Sequence, residues 1–161
     1  MQDATDPDAS SGVRIFPPAI FIGGLVIGYA LQWLLPVPIL PGDAGLIVRI
    51  VGVLLAGAGL ALMIAGVARF RQAGTSPNPT IPTTALAVDG PYGFTRNPMY
   101  LGMALLLAGL AGIGNALWPL LAVVPAVIIM QTQVIAREEG YLEARFGEPY
   151  RAYKARVRRW L

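Results

Sequence analysis

The chain contains no cysteine and no histidine. Without cysteine there are no disulfides or thiolate nucleophiles; the two absences together remove the usual zinc sites and the side chain most often used to move protons near neutral pH. Charge is scarce as well: 13% of the 161 residues are charged, against about 25% in soluble domains. Hydrophobic residues make up 55%. That balance excludes a water-soluble globule, and despite 19 Gly and 14 Pro it excludes general disorder, which requires low hydrophobicity. The class that remains is an all-α integral membrane protein. Its length fits one domain and leaves no room for a separate soluble nucleotide-binding domain.

Residues 1–13 are small, polar and acidic, lack the basic start and cleavage site of a secretory signal, and read as a disordered tail ahead of a single membrane domain, 14–161. Uncharged or nearly uncharged runs predict four spans at about 15–35, 44–68, 98–113 and 116–135. Gly112, Gly114 and Asn115 mark the turn of a tight hairpin between spans three and four, and Pro125 lies within span four. Residues 69–97 form a long polar connection, of the kind that either carries function or is disordered. In the tail, 136–161, Leu142, Phe146, Tyr150, Tyr153, Val157 and Trp160 recur three or four residues apart. This predicts an amphipathic helical region on the membrane surface, divided at Gly147 and Pro149.

Four spans put both termini and the 69–97 connection on one side. Arg14, Arg69, Arg71, Arg96 and the basic residues of the tail all fall there, so the positive-inside rule makes that side cytoplasmic. Membrane proximity accounts for the basic tail, and neither nucleic acid nor a metal is expected as a partner.

The polar residues with chemical potential gather on the same face. Gly90-Pro91-Tyr92 and Arg96-Asn97-Pro98 lead into span three; Arg96 carries a bidentate fork, Asn97 offers a donor and an acceptor, and Pro98 suits a first helical turn whose free N–H groups attract a carboxylate. Read alone, these residues are a turn and an interfacial cap. Arg137-Glu138-Glu139 closes span four, where acidic groups are costly unless paired, solvated or functional. Asn78-Pro79 and Pro82-Thr83 read as turns. Gly24 and Gly28, and likewise Gly57 and Gly59, lie inside spans and indicate close helix packing, since a dinucleotide fingerprint follows a strand.

Taken together, the segment from Thr83 to Gly102 with its Arg-Asn-Pro-Met-Tyr-Leu-Gly, the later Arg-Glu-Glu-Gly-Tyr-Leu, and the Phe146-Gly147-Glu148-Pro149-Tyr150 stretch resemble the isoprenylcysteine carboxyl methyltransferase family and its bacterial relatives. The likeness covers about residues 69–161. It implies an integral membrane methyltransferase of the bacterial inner membrane that binds S-adenosylmethionine on the cytoplasmic side. Carried over, it makes Arg96 and Glu138 catalytic candidates and Gly90, Tyr92, Asn97, Pro98, Tyr100, Gly102 and Glu139 cofactor-binding candidates. Asn97 stands where the family has His; it can hydrogen-bond a cofactor but cannot act as a base.

The implied acceptor is a lipophilic or membrane-associated small molecule. An isoprenoid-type carboxylate comes first, needing no general base and oriented by Arg96; an amine-headed lipid comes second, its proton taken by Glu138 or Glu139. Two other readings stand beside these. One is a membrane NADPH-dependent reductase of a sterol or polyprenol-like lipid, and the other a membrane scaffold in which Arg and Glu serve only as anchors.

Overall fold

Prolines and glycines divide the chain into helices, and glycines let two of those helices touch. The computed structural model describes Val13, residues 15–76, Asn78 and residues 81–161. Among them lie α1 (Pro17–Leu34), α2 (Ala44–Gln72), a 3-10 turn (Gly90–Gly93), α3 (Pro98–Ile113), α4 (Leu117–Leu121), α5 (Val123–Ile129), a π-helical stretch (Met130–Ile135), α6 (Ala136–Phe146) and α7 (Glu148–Arg156). The described structure is all-helical. The predicted disordered tail and Arg14 lie outside the described residues, apart from Val13, which is buried against the core.

Proline opens α1, α3 and α7, where its missing N–H costs nothing. Arg69 and Arg71 in the last turn of α2 complement its dipole, and Gly74 (φ 71°) turns the chain away. α4 gives way to α5 at Ala122 because Pro125 supplies no N–H to the carbonyl four residues earlier. From Leu117 to Phe146 the helical path is nevertheless continuous.

In α2 the buried residues are Gly45, Gly52, Gly59 and Gly66, a repeat of seven that keeps one seam facing a partner helix. That partner is antiparallel α3. A Cβ at Gly52 would stand 2.5 Å from the Ile113 backbone nitrogen, and one at Gly59 would stand 2.6 Å from the Gly102 carbonyl. The two backbones are therefore in contact, as membrane helices with small residues allow. Gly28 meets Pro119 and Gly24 meets Ala122 where α1 crosses α4, so the packing role expected of those glycines holds. At the hairpin between α3 and α4, Asn115 (φ 48°) accepts hydrogen bonds from the Ile39 and Leu40 amides and donates to the Leu40 carbonyl, tying both turns together.

α1, α2 and the Leu117–Phe146 rod are long and apolar enough to cross a membrane. Large apolar side chains along their outer faces, among them Ile27, Trp33, Ile47, Leu54 and Ile128, are exposed, as lipid-facing residues would be. α3, expected as the third of four spans, is apolar but has 16 residues. At 1.5 Å per residue that is about 24 Å, short of the roughly 30 Å hydrocarbon core. It is the central helix, with half of its residues buried, including Tyr100, Ala104, Leu107 and Ala111.

Candidate active site

The polar end of the molecule is built where α2 stops, α3 starts and the rod becomes α6. Gly90 (φ 59°) begins the 3-10 turn, and Asp89 just before it pairs with Arg69 of α2. That hydrogen-bonded guanidinium holds the Asp89 carboxyl below its usual range. The turn delivers Tyr92, whose ring tilts against Phe70 at 5.2 Å and whose carbonyl accepts from the Tyr153 hydroxyl at 2.8 Å. Around them Ala87, Tyr150, Tyr153 and Val157 form a second small core, with Leu142 and Phe146 packed on it.

The amphipathic stripe expected to lie on the membrane surface is thus covered by the protein itself. Its aromatic residues close over the 69–97 connection, and Trp160 packs against the main core. The connection is held by the Thr84 amide donating to Thr75 Oγ1 and the Thr83 amide donating to the Tyr141 hydroxyl, each at 3.0 Å. Of the predicted turn residues, Asn78 and Thr83 line the cavity described next, and Pro79 lies outside the described residues.

Under this cap is a partly enclosed, mostly apolar cavity that opens to the surface. Aromatic residues Phe70, Tyr92, Tyr100, Tyr141, Tyr150 and Tyr153 line it together with Pro98, and Arg96, Asn97, Glu138 and Glu139 form the polar edge. Both clusters singled out in the sequence therefore face one space. Gly90 and Gly102 do not line it. Gly90 supplies the left-handed conformation that starts the turn, and Gly102 is pressed against Gly59 and Met63 of α2, so both serve the fold around the cavity.

The two glutamates have different surroundings. Glu139, buried, accepts from Arg96 Nη2 at 2.7 Å and from Arg159 Nε and Nη2 at 3.0 and 2.5 Å. Glu138 accepts from the Tyr100 hydroxyl at 2.7 Å, and no cation among the described residues forms an ion pair with it. Glu139 is charge-balanced by two guanidinium groups, whereas Glu138 turns a carboxyl group held by one phenol toward an aromatic-lined space, whose ring faces attract cations.

Arg96 is committed elsewhere than expected. Besides Glu139, it donates through Nη1 to the carbonyls of Lys154 and Val157 at 2.9 and 3.0 Å. Its Nε and the Tyr92 hydroxyl are buried polar atoms with no partner among the described residues. Burial holds the Tyr92, Tyr150 and Tyr153 phenols above their ordinary range, so near neutral pH they are donors and not bases. No group of three or more Asp or Glu among the described residues is arranged to hold a metal.

Three contributors were missed in the sequence: Arg159, Thr95 and the phenols of α7. Tyr150 and Tyr153 belong to the amphipathic stripe, whose periodicity announces an apolar face without saying what covers it. Arg159 sat unremarked in a basic run. Thr95, buried at 2% exposure, accepts from the Asn97 amide and donates to the Arg159 carbonyl, and nothing in its local pattern announces this.

A family model described as phospholipid methyltransferase matches residues 47–149. The chain is also similar to an uncharacterized protein of Haemophilus influenzae, 52% identical over 64 residues, which are 39% of this chain and the whole of that relative. No solved structure matches. The matched family region includes Arg96, Glu138 and Glu139 and more than half of the sequence; the chain belongs to the phospholipid methyltransferase family, the membrane methyltransferases that take in the isoprenylcysteine carboxyl methyltransferase-like proteins.

Proposed function

We propose that this protein is an S-adenosylmethionine-dependent methyltransferase acting on a lipid-like acceptor at the cytoplasmic leaflet of a bacterial inner membrane. In this reading α1, α2, α3 and the Leu117–Phe146 rod are four spans, α3 completing its crossing through the flanking turns. Residues 14–161 form one membrane domain, and both termini lie in the cytoplasm. The observation that carries the reading is the convergence of Arg96, Asn97, Glu138 and Glu139 with a set of aromatic rings on one cavity.

These residues fit the cofactor. Its sulfonium is a cation, matched by Glu138 and the ring faces; its carboxylate needs donors, which Asn97, the orphaned Arg96 Nε and the Tyr92 hydroxyl offer. When bound, S-adenosylmethionine supplies an electrophilic methyl group on a sulfur that leaves as a neutral thioether. The protein's share is to hold the nucleophile in line and exclude water, an effect worth at most about 7–11 kcal/mol.

Geometry favours an amine over a carboxylate as the accepting group. A carboxylate acceptor needs a cation to orient it, and both terminal nitrogens of Arg96 already serve Glu139 and main-chain carbonyls. An ammonium headgroup, by contrast, meets Glu138, which forms no ion pair among the described residues. That carboxylate, oriented by the Tyr100 hydroxyl, accepts the ammonium proton and frees the nitrogen lone pair for attack on the methyl carbon.

The test combines binding with turnover. Purified protein titrated with S-adenosylhomocysteine and with NADPH is expected to bind the first; NADPH binding alone would transfer the site to a reductase. Lipid extracts incubated with labelled methyl donor are expected to yield a labelled amine-headed lipid. A labelled isoprenoid carboxylate would overturn the assignment of the accepting group while keeping the enzyme class.

A further inference from the structure

Residues 157–161 leave α7 and run as a strap across the two motif clusters, adding to the direct contacts of Arg96 with Glu139 and of Tyr100 with Glu138. The Arg96 amide donates to the Arg158 carbonyl at 2.9 Å, and Asn97 Nδ2 and Thr95 Oγ1 both donate to the Arg159 carbonyl, at 2.9 and 3.1 Å. Arg96 Nη1 reaches the Val157 carbonyl. On the other side the Arg159 guanidinium grips both oxygens of Glu139, and Trp160 Nε1 donates to Gln131 in the π-helical stretch at 2.9 Å. Arg159 itself does not line the cavity, but Arg96, Asn97 and Glu139, which it and its carbonyl hold, do. Its side chain is about one-third exposed (34%), against 9% for Glu139. The lock is therefore the outermost member of the network. The Glu139 hydrogen bond keeps the Arg159 guanidinium above its already high ordinary range, so the lock stays charged.

We propose that Arg159 is a positioning residue and the strap the closing element of the cavity. By fixing Glu139 onto Arg96 and Asn97 onto the strap, it sets affinity for the cofactor and leaves the chemical step alone. Glu138 is held by Tyr100 and not by the strap, so proton acceptance is independent of this lock. The proposal rests on the methyltransferase reading for its ligand, and the experiment separates the two.

The full chain in detergent is titrated with S-adenosylhomocysteine and assayed for methyl transfer. Loss of a charge-assisted, two-pronged contact is expected to raise the Kd of Arg159→Ala by about tenfold or more, with Arg159→Lys intermediate because it keeps the charge but loses the fork. At saturating donor, kcat is expected to stay within about twofold of the parent, the signature of a binding effect. A parental Kd in Arg159→Ala, or a fall in kcat with Kd unchanged, overturns the proposal. Should Arg159→Ala not fold, Arg159→Lys carries the same test, and a parental Kd in that variant overturns it. If the parent itself binds no S-adenosylhomocysteine, the methyltransferase reading fails, and the strap is judged by hydrogen exchange. The Arg96 amide, bonded to Arg158, is then expected to exchange faster in Arg159→Lys than in the parent, and unchanged exchange overturns the closing role.

Discussion

Arg96 and Glu139 lie 43 positions apart, yet their side chains meet at 2.7 Å with 10% and 9% of their surfaces exposed. This contact joins the start of α3 to α6 across the whole intervening hairpin. A residue read in the sequence as an orienting group for substrate is thus also a structural tie. Removing one partner of a buried pair costs about 3–5 kcal/mol because the other is left unsatisfied. Arg96→Ala is expected to lower the unfolding midpoint in detergent as well as abolish cofactor binding. A double-mutant cycle with Glu139→Gln should show clear coupling; strictly additive losses would mean that the pair contributes nothing as a pair.

Glu138 offers a cleaner probe of chemistry, since its partner is the single hydroxyl of Tyr100. Glu138→Gln keeps the shape and the hydrogen bond but removes the charge and the proton-accepting oxygen. Turnover is expected to fall by about a hundredfold, in the usual range for a lost general base, with the melting curve unchanged. Tyr100→Phe leaves the carboxylate unoriented and is expected to lose about tenfold, the worth of a hydrogen bond to a charged group. Parental turnover in Glu138→Gln would remove it from the mechanism.

Much of this was legible in the residues, and the failures have physical causes. The helices announce themselves through uncharged length and through prolines at their starts, and both site clusters through charge placed where an apolar chain has little of it. What a one-dimensional pattern does not reveal is who covers whom. The stripe from Leu142 to Trp160 has the same periodicity whether lipid or protein lies against it, and here Tyr92 and Ala87 lie against part of it. Arg159 differs from Arg158 beside it only in which way it faces, and that direction follows from the extended backbone after Val157. The α2 seam is partly visible in the sequence: of Gly57 and Gly59, both expected to pack, Gly59 does and Gly57 faces open space, and the repeat linking Gly59 to Gly45, Gly52 and Gly66 emerges once α3 is seen to lie along it.

That seam makes a sharp contrast between neighbouring glycines. A side chain at Gly59 meets the Gly102 carbonyl at 2.6 Å and the Leu106 amide nitrogen at 2.7 Å, both backbone atoms that cannot swing aside. Gly57, two residues earlier, has nothing within 4 Å. Gly59→Val is expected to destabilise by at least about 1–3 kcal/mol, the scale of overpacking. Gly57→Ala should be neutral or stabilising by up to about 1 kcal/mol through helix propensity. Chemical unfolding of both variants in detergent checks the pair, and equal midpoints would deny the backbone contact.

The π-helical stretch Met130–Ile135 sets where the glutamates point. Such a stretch holds one residue more than an α-helix of the same hydrogen-bonded span, and one residue is about 100° of rotation at 3.6 per turn. Thr132, exposed and bonded to the Ile128 carbonyl, can be removed without opening the core. Its deletion is expected to convert the stretch to α-helix over the same span and leave Glu138 and Glu139 facing Tyr100 and Arg96. Helical content by circular dichroism and S-adenosylhomocysteine binding should both hold. Inserting one alanine before Arg137 in the deleted chain turns both glutamates by about 100° and should abolish binding. A deletion variant that loses binding, or an insertion variant that binds like the parent, would show that helical phase through this stretch does not position the site.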